Sequence, residues 1–160
     1  MGSVDLAGEN KDDPMSLAFA EARSAELRGE APIGAVLVRE GTVVASAGNR
    51  TRELSDPTAH AEMIVIREAA ARIGSERLIG CDLYVTLEPC AMCAGAIVLA
   101  RVPRVLFGAS DPKAGAAGSV LDVLGESRLN HHPEVEGGLL GEECGELLSE
   151  FFASRRGGMI

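Results

Sequence analysis

Apolar residues recur at Leu17, Phe19, Ala20 and Leu27 among charged positions, the spacing of an amphipathic first helix over residues 15–28. Residues 33–38 and 43–47 then alternate or run apolar around Glu40-Gly41, which predicts a β-hairpin. Residues 49–58 are polar loop. A second helical pattern covers 59–73 and is stopped by Gly74, with His60 and Glu62 in its first turn. Residues 83–87 form a buried strand that leads directly into a helix opening at Pro89, whose stretch 94–100 is apolar nearly all round. Such a helix is buried within the domain or at a subunit interface. A further strand covers 105–107. Residues 108–129 read as a long glycine-containing loop with a helical turn at 120–124, and 141–156 read as a final helix. The strand–helix–strand order around Cys90 requires a crossover, and hence neighbouring parallel strands. The alternation of elements gives one α/β layer structure.

At 160 residues the chain is long enough for one domain with a substantial core, and 46% of its residues are hydrophobic. The expected organisation is a polar extension over 1–14, one domain over 15–156 and a short tail over 157–160. Nothing in the first residues joins a basic start to an apolar run, and no segment is apolar enough to span a bilayer. A cytoplasmic protein without membrane association is expected, and a reducing compartment suits its four cysteines as free thiolates.

The chemistry is concentrated in His60-Ala61-Glu62 and Pro89-Cys90-Ala91-Met92-Cys93. Alone, Cys-x-x-Cys is a redox pair, half of a structural zinc site or two small core residues, and His-x-Glu says less still. Their conjunction is more specific. One imidazole and two thiolates are three zinc ligands, whereas structural sites close with four, so one position is left for water. A carboxylate that is not a ligand can take a proton from that water and pass it on, the role assigned to Glu62. Cys90 and Cys93, three apart, share a helix face near its positive end, where thiolate is favoured. His60 and Glu62 diverge by roughly 200° on a helix, so they belong at a helix entrance, facing the metal from two sides. Cys81 stands at the far end of the strand, roughly 20 Å from Cys90 at strand rise, and is expected to be a buried bystander. Cys144, near Leu147, Leu148 and Phe151, is expected to pack in the core.

His-x-Glu followed by Pro-Cys-x-x-Cys is the signature of the zinc nucleobase deaminases. The segments 56–62 (Asp-Pro-Thr-Ala-His-Ala-Glu), 83–96 and 115–119 (Gly-Ala-Ala-Gly-Ser) resemble the bacterial tRNA adenosine deaminases of the cytidine deaminase superfamily, over essentially residues 15–156. The resemblance implies a three-layer α/β/α fold with a central mixed five-stranded sheet, one zinc ion per chain, and a homodimer. It implies hydrolytic conversion of adenosine to inosine at the wobble position of tRNA, on a nucleotide splayed out of the anticodon loop. By the same resemblance Asn49 and the Ala61 backbone amide hold the adenine, Asp111 and Lys113 meet the neighbouring ribose and phosphate, and Asn130, Phe152 and Arg156 contact the anticodon loop.

The formal charge of −9 runs against broad attraction to phosphate. Arg101, Arg104, Lys113, Arg155 and Arg156 leave room for a local basic rim, although each alone is as readily ordinary surface. Ser110, Pro112 and His131-His132-Pro133 depart from the family pattern, in positions that bear on RNA and not on hydrolysis. The two histidines need no metal role. Competing expectations are a deaminase of a free base or nucleoside, guanine or cytosine, and a non-catalytic zinc module. The glycine-alanine loop after Lys113 favours the tRNA branch, and Glu62 argues against a purely structural site.

Overall fold

A computed structural model describes residues 13–158, with side chains through residue 155. Of the expected N-terminal extension, residues 1–12 lie outside this range. Asp13 and Pro14 instead start α1 (Pro14–Leu27): the Asp13 carboxylate accepts from the Ser16 amide at 3.0 Å and Pro14 occupies the first turn, where its missing N–H costs nothing. The hairpin of β1 (Gly34–Arg39) and β2 (Thr42–Gly48) turns on Glu40 and Gly41, both with positive φ (51° and 78°), as a tight turn matched to strand twist requires.

β3 (Cys81–Leu87), α3 (Ala91–Ala100) and β4 (Arg104–Ala109) make the expected crossover, and β3 pairs with β4 in parallel. β1 pairs antiparallel with both β2 and β3. A short β5 (Glu134–Glu136) adds in parallel to β4, giving a five-stranded mixed sheet in the order β2-β1-β3-β4-β5. Sequence pattern missed β5 because its three residues are all exposed and carry no apolar run.

Strand alternation sorts the core into two layers. Ala35, Leu37, Leu83, Val85 and Val105 point to α2 (Ala61–Ile73) and α3, against Val65, Ala69, Ala94 and Ile97. Val36, Val38 and Tyr84 point the other way, to Met15 and Ala18 of α1. Cys144 of α4 (Gly141–Gly158) is buried close to Gly108 on β4, as expected of a core thiol. Helices therefore cover both faces, the three-layer arrangement implied by the resemblance.

α1 lies unusually close to the sheet. Its inner face is Ala18, Ala22 and Ala25, and opposite them stand Gly34 and Gly48. A Cβ at Gly34 would overlap the Ala18 carbonyl and come within 2.6 Å of the Ala22 amide, and one at Gly48 would lie 2.7 Å from the Glu21 carbonyl. Small residues on both surfaces permit backbone-to-backbone packing here.

The helical turn expected at 120–124 does not form. The Gly115 carbonyl takes the amides of both Val120 and Leu121, Ala117 bridges to Asp122, and the Ala116 carbonyl takes the Val123 amide. The Val120, Leu121 and Val123 amides are thus committed to contacts across the loop and do not form an i→i−4 ladder. No described helix is long and apolar enough to cross a membrane.

Candidate active site at two helix entrances

His60 and Cys90 are the N-caps of α2 and α3, both in extended conformation (φ −73°, ψ 152° and φ −77°, ψ 177°). The sequence pattern had placed His60 and both cysteines inside first turns. Instead α2 begins at Ala61, Pro89 stands one residue before the cap, and only Cys93 is helical. The correction strengthens the site: cap residues aim their side chains across the helix mouth, so two helix N-termini converge on one point.

There the imidazole and thiols meet. His60 Nδ1 lies 3.6 Å from Cys90 Sγ and 3.5 Å from Cys93 Sγ, and the three potential ligand atoms fall within 4.8 Å of one another. Two ligands of a tetrahedral zinc, with ordinary Zn–S and Zn–N bonds, stand about 3.6 Å apart. The donor set and spacing fit zinc. Cys81 is buried at the start of β3 and is not part of the cluster, and all four cysteines are free.

Glu62 sits in the first turn of α2, only 4% exposed. Burial pushes its carboxyl up to about 7, against the pull of its own backbone amide and His60. A carboxyl poised near neutrality can both accept and return a proton. The thiols divide the opposite way. Hydrogen bonding from Cys93 and His60 lowers Cys90 to about 3, while Cys93, bonded to that thiolate and buried, is held protonated. The hydrogen bond with Cys90 raises His60. A divalent cation at the centre would allow both sulfurs to ionise, so its binding releases protons.

Asn49, immediately after β2, is 4% exposed and its Oδ1 accepts from the Ala61 amide at 2.8 Å. The two residues assigned to adenine are thus adjacent, but the Ala61 N–H is already engaged by Asn49. Beyond β4, Asp111 Oδ1 accepts from the amides of Lys113 and Ala114, capping its own turn, with Lys113 exposed. Asn130 is exposed, and Phe152 is 47% exposed with its ring edge-on to Phe151. The Arg156 side chain lies outside the described residues.

The basic rim is partly occupied by structural contacts. Arg101 donates to the Val98 carbonyl, Arg104 pairs with Asp82 at 3.4 Å, and Arg155 stacks over Phe151 and donates to the Gly29 carbonyl. His131 and His132 each bond a backbone carbonyl, Val102 and Glu126, consistent with no metal role.

Two carboxylates escaped the sequence reading. Glu30 is buried and accepts the amides of Arg52 at 3.1 Å and Glu53 at 2.8 Å, fixing the turn that follows Asn49. Glu88, next to the zinc-ligand turn, is buried in the same way. The available signal was an acid placed directly between an apolar strand and Pro-Cys.

The family of the cytidine and deoxycytidylate deaminase zinc-binding region matches residues 9–109. The tRNA-specific adenosine deaminase of Agrobacterium fabrum is 55% identical over 142 residues, 89% of this chain and 93% of that protein. The chain belongs to the family of tRNA-specific adenosine deaminases. A structure from a study of A-to-I editing by tRNA:A34 deaminases at the wobble position of transfer RNA superposes with a TM-score of 0.82 at 56% identity, covering 84% of this chain and 98% of that one. The structure of guanine deaminase from Bacillus subtilis is more distant, with a TM-score of 0.62 and 32% identity over 92% of this chain and 95% of that one. Membership in this tRNA deaminase family makes zinc the metal that the cluster fits.

Zinc content tests the ligand set directly. Elemental analysis of Cys81→Ala is expected to show one zinc per chain, and of Cys90→Ala to show little, because two protein ligands hold the ion poorly. Loss of zinc from Cys81→Ala would contradict a three-ligand site.

Proposed function

We propose that this chain hydrolyses adenosine to inosine at the wobble position of a tRNA, with His60, Cys90 and Cys93 holding one zinc ion and Glu62 moving the protons. The observation that carries the proposal is Glu62, buried in the first turn of α2 beside an imidazole–dithiol cluster, in a chain of this family. When bound, zinc makes a coordinated water acidic enough to act as nucleophile near neutral pH. Glu62 takes a proton from the attacking water and delivers it to the purine ring. Glu62 then takes the remaining proton of the hydroxyl now on C6 and, as the C6–N bond breaks, passes it to the amine, which departs as ammonia. Asn49 has its Oδ1 held by the Ala61 amide, which leaves its Nδ2 to donate to the base. In this reading Asp111 and Lys113 would meet the neighbouring ribose and phosphate, and Asn130, Phe152 and Arg156 would contact the anticodon loop.

The surface supports a small number of placed ionic contacts. Arg52 and Arg155 both donate to the Gly29 carbonyl, at 3.5 and 2.7 Å, and Arg28 donates to the Asn49 carbonyl at 3.3 Å. Three guanidiniums thereby gather beside the Asn49 loop of an otherwise acidic chain. A tRNA substrate supports a cytoplasmic location for the reaction. A homodimer is supported by the outer face of α3, where Leu99 is 76% exposed beside Met92, Gly95 and Ala96. Sedimentation of Leu99→Lys is expected to show monomers, and an unchanged mass would exclude this face.

Substrate choice decides between tRNA and a free base. The zinc-loaded protein, given an anticodon stem-loop, guanine or cytosine, is expected to release ammonia from the stem-loop, with affinity that falls only shallowly with salt. Preferential turnover of guanine would replace the tRNA reading with that of the more distant relative.

A further inference from the structure

Glu88 is 2% exposed, between the end of β3 and Pro89-Cys90, and its carboxylate accepts four hydrogen bonds from one segment of chain. Oε1 takes the Asp111 amide at 3.0 Å and the Ser119 hydroxyl, while Oε2 takes the amides of Ala117 at 2.9 Å and Ser119 at 3.1 Å. Gly115 lies flush on the carboxylate, where an added Cβ would overlap it. Backbone contacts extend the seam. The Glu88 amide donates to the Ala109 carbonyl, the Ala116 amide donates to the Pro89 carbonyl, each at 2.8 Å, and Gly115 bridges to Cys90 itself.

Residues 111–119 are otherwise poor in regular structure, and several lie exposed. A buried carboxylate is costly unless its lone pairs are met, and here the loop's own donors meet them. The pairing is therefore mutual: the acid needs the loop's donors, and the loop takes its shape from the acid.

We infer that Glu88 is a positioning residue for the deamination: it acts through residues 111–119, holding them as a wall of the substrate pocket beside Cys90. The inference rests on the proposed function only for the identity of the substrate, because the seam itself is independent of any ligand. Glu88 touches neither substrate nor the proton path. Its effect falls on how well Asp111 and Lys113 are presented, so it governs KM and loop order and leaves the chemical step alone.

Glu88→Gln tests this with nearly unchanged volume. One carboxylate oxygen becomes an NH₂ group; turned to the Oε1 side it can donate to the Ser119 hydroxyl but opposes the Asp111 amide, so one of the four hydrogen bonds is replaced by donor–donor opposition. The expected result is a KM for the stem-loop raised about tenfold or more, the scale of one lost buried hydrogen bond, with kcat nearly unchanged and one zinc per chain. A second readout needs no substrate. Lys11 and Lys113 are the chain's two lysines, so lysyl endopeptidase reports on the loop through cleavage after Lys113, expected to be markedly faster in the variant. Gly115→Ala, which pushes on the same carboxylate without altering charge, is expected to show the same pair of effects and serves if Glu88→Gln does not fold. Unchanged KM and unchanged cleavage would overturn the inference, as would loss of zinc with a collapsed kcat, which would assign Glu88 to the ligand turn instead. Failure of the tRNA reading shows separately, in the unsubstituted protein's preference for a free base.

Discussion

Glu62→Ala is expected to give a folded, zinc-replete protein whose turnover of the stem-loop falls by about 10²–10⁴-fold, the usual contribution of a positioned general acid–base. The size of the loss follows from the number of steps the side chain serves. In the proposed mechanism it relays both protons of the attacking water, one to the ring and one to the leaving amine, and among the described residues no other carboxyl stands in the cluster formed by His60, Cys90 and Cys93. The competing role for Glu62, a favourable charge in the first turn of α2, is worth only about 1 kcal/mol of stability. Zinc analysis, thermal unfolding and single-turnover kinetics on the same preparation separate the two. Near-normal turnover in that protein would remove Glu62 from the mechanism.

Gly34→Ala is expected to have the largest effect on stability of any single methyl addition. The new methyl would overlap the Ala18 carbonyl and crowd the Ala22 amide, and both are helix backbone with no rotamer to give way. Overpacking commonly costs 1–3 kcal/mol, and backbone overlap stands at or above the top of that range, against roughly 5–15 kcal/mol for a whole domain. Gly34 also donates its amide to the buried Thr86 hydroxyl at 3.1 Å, so displacing α1 strains the centre of the sheet as well. Urea unfolding is expected to show a midpoint shift of that size. A shift below about 0.5 kcal/mol, the range of ordinary surface changes, would mean that α1 can move away from the sheet at little cost.

What could be read from the sequence was what local chemistry specifies. His60, Glu62, Cys90 and Cys93 lie in two short motifs whose residue types admit few alternatives, and the β3–α3–β4 crossover follows from apolar runs in a fixed order. Gly41 and Gly74 mark a turn and a helix end through positive φ, which glycine adopts without strain. The parts that stayed hidden depend on partners far away in sequence. Residues 120–124 have enough apolar character to suggest a helical turn, but their amides bond to Gly115 and Ala116. Glu30 and Glu88 look like ordinary surface charges until the fold surrounds them with backbone donors. The cap positions of His60 and Cys90 turn on one residue at a helix boundary, finer than apolar spacing resolves.

β5 closes one side of the sheet with three exposed residues, of which Glu134 and Glu136 flank Val135. A strand at the rim of a sheet leaves backbone donors and acceptors without a partner, an invitation to another copy of the chain. Here a second copy laid edge to edge would bring like-charged acids together, and only three residues are available to pair. Sheet extension through β5 is thus self-limiting, which guards this rim against stacking of copies and leaves the seven-residue β2 as the sheet's longer open edge.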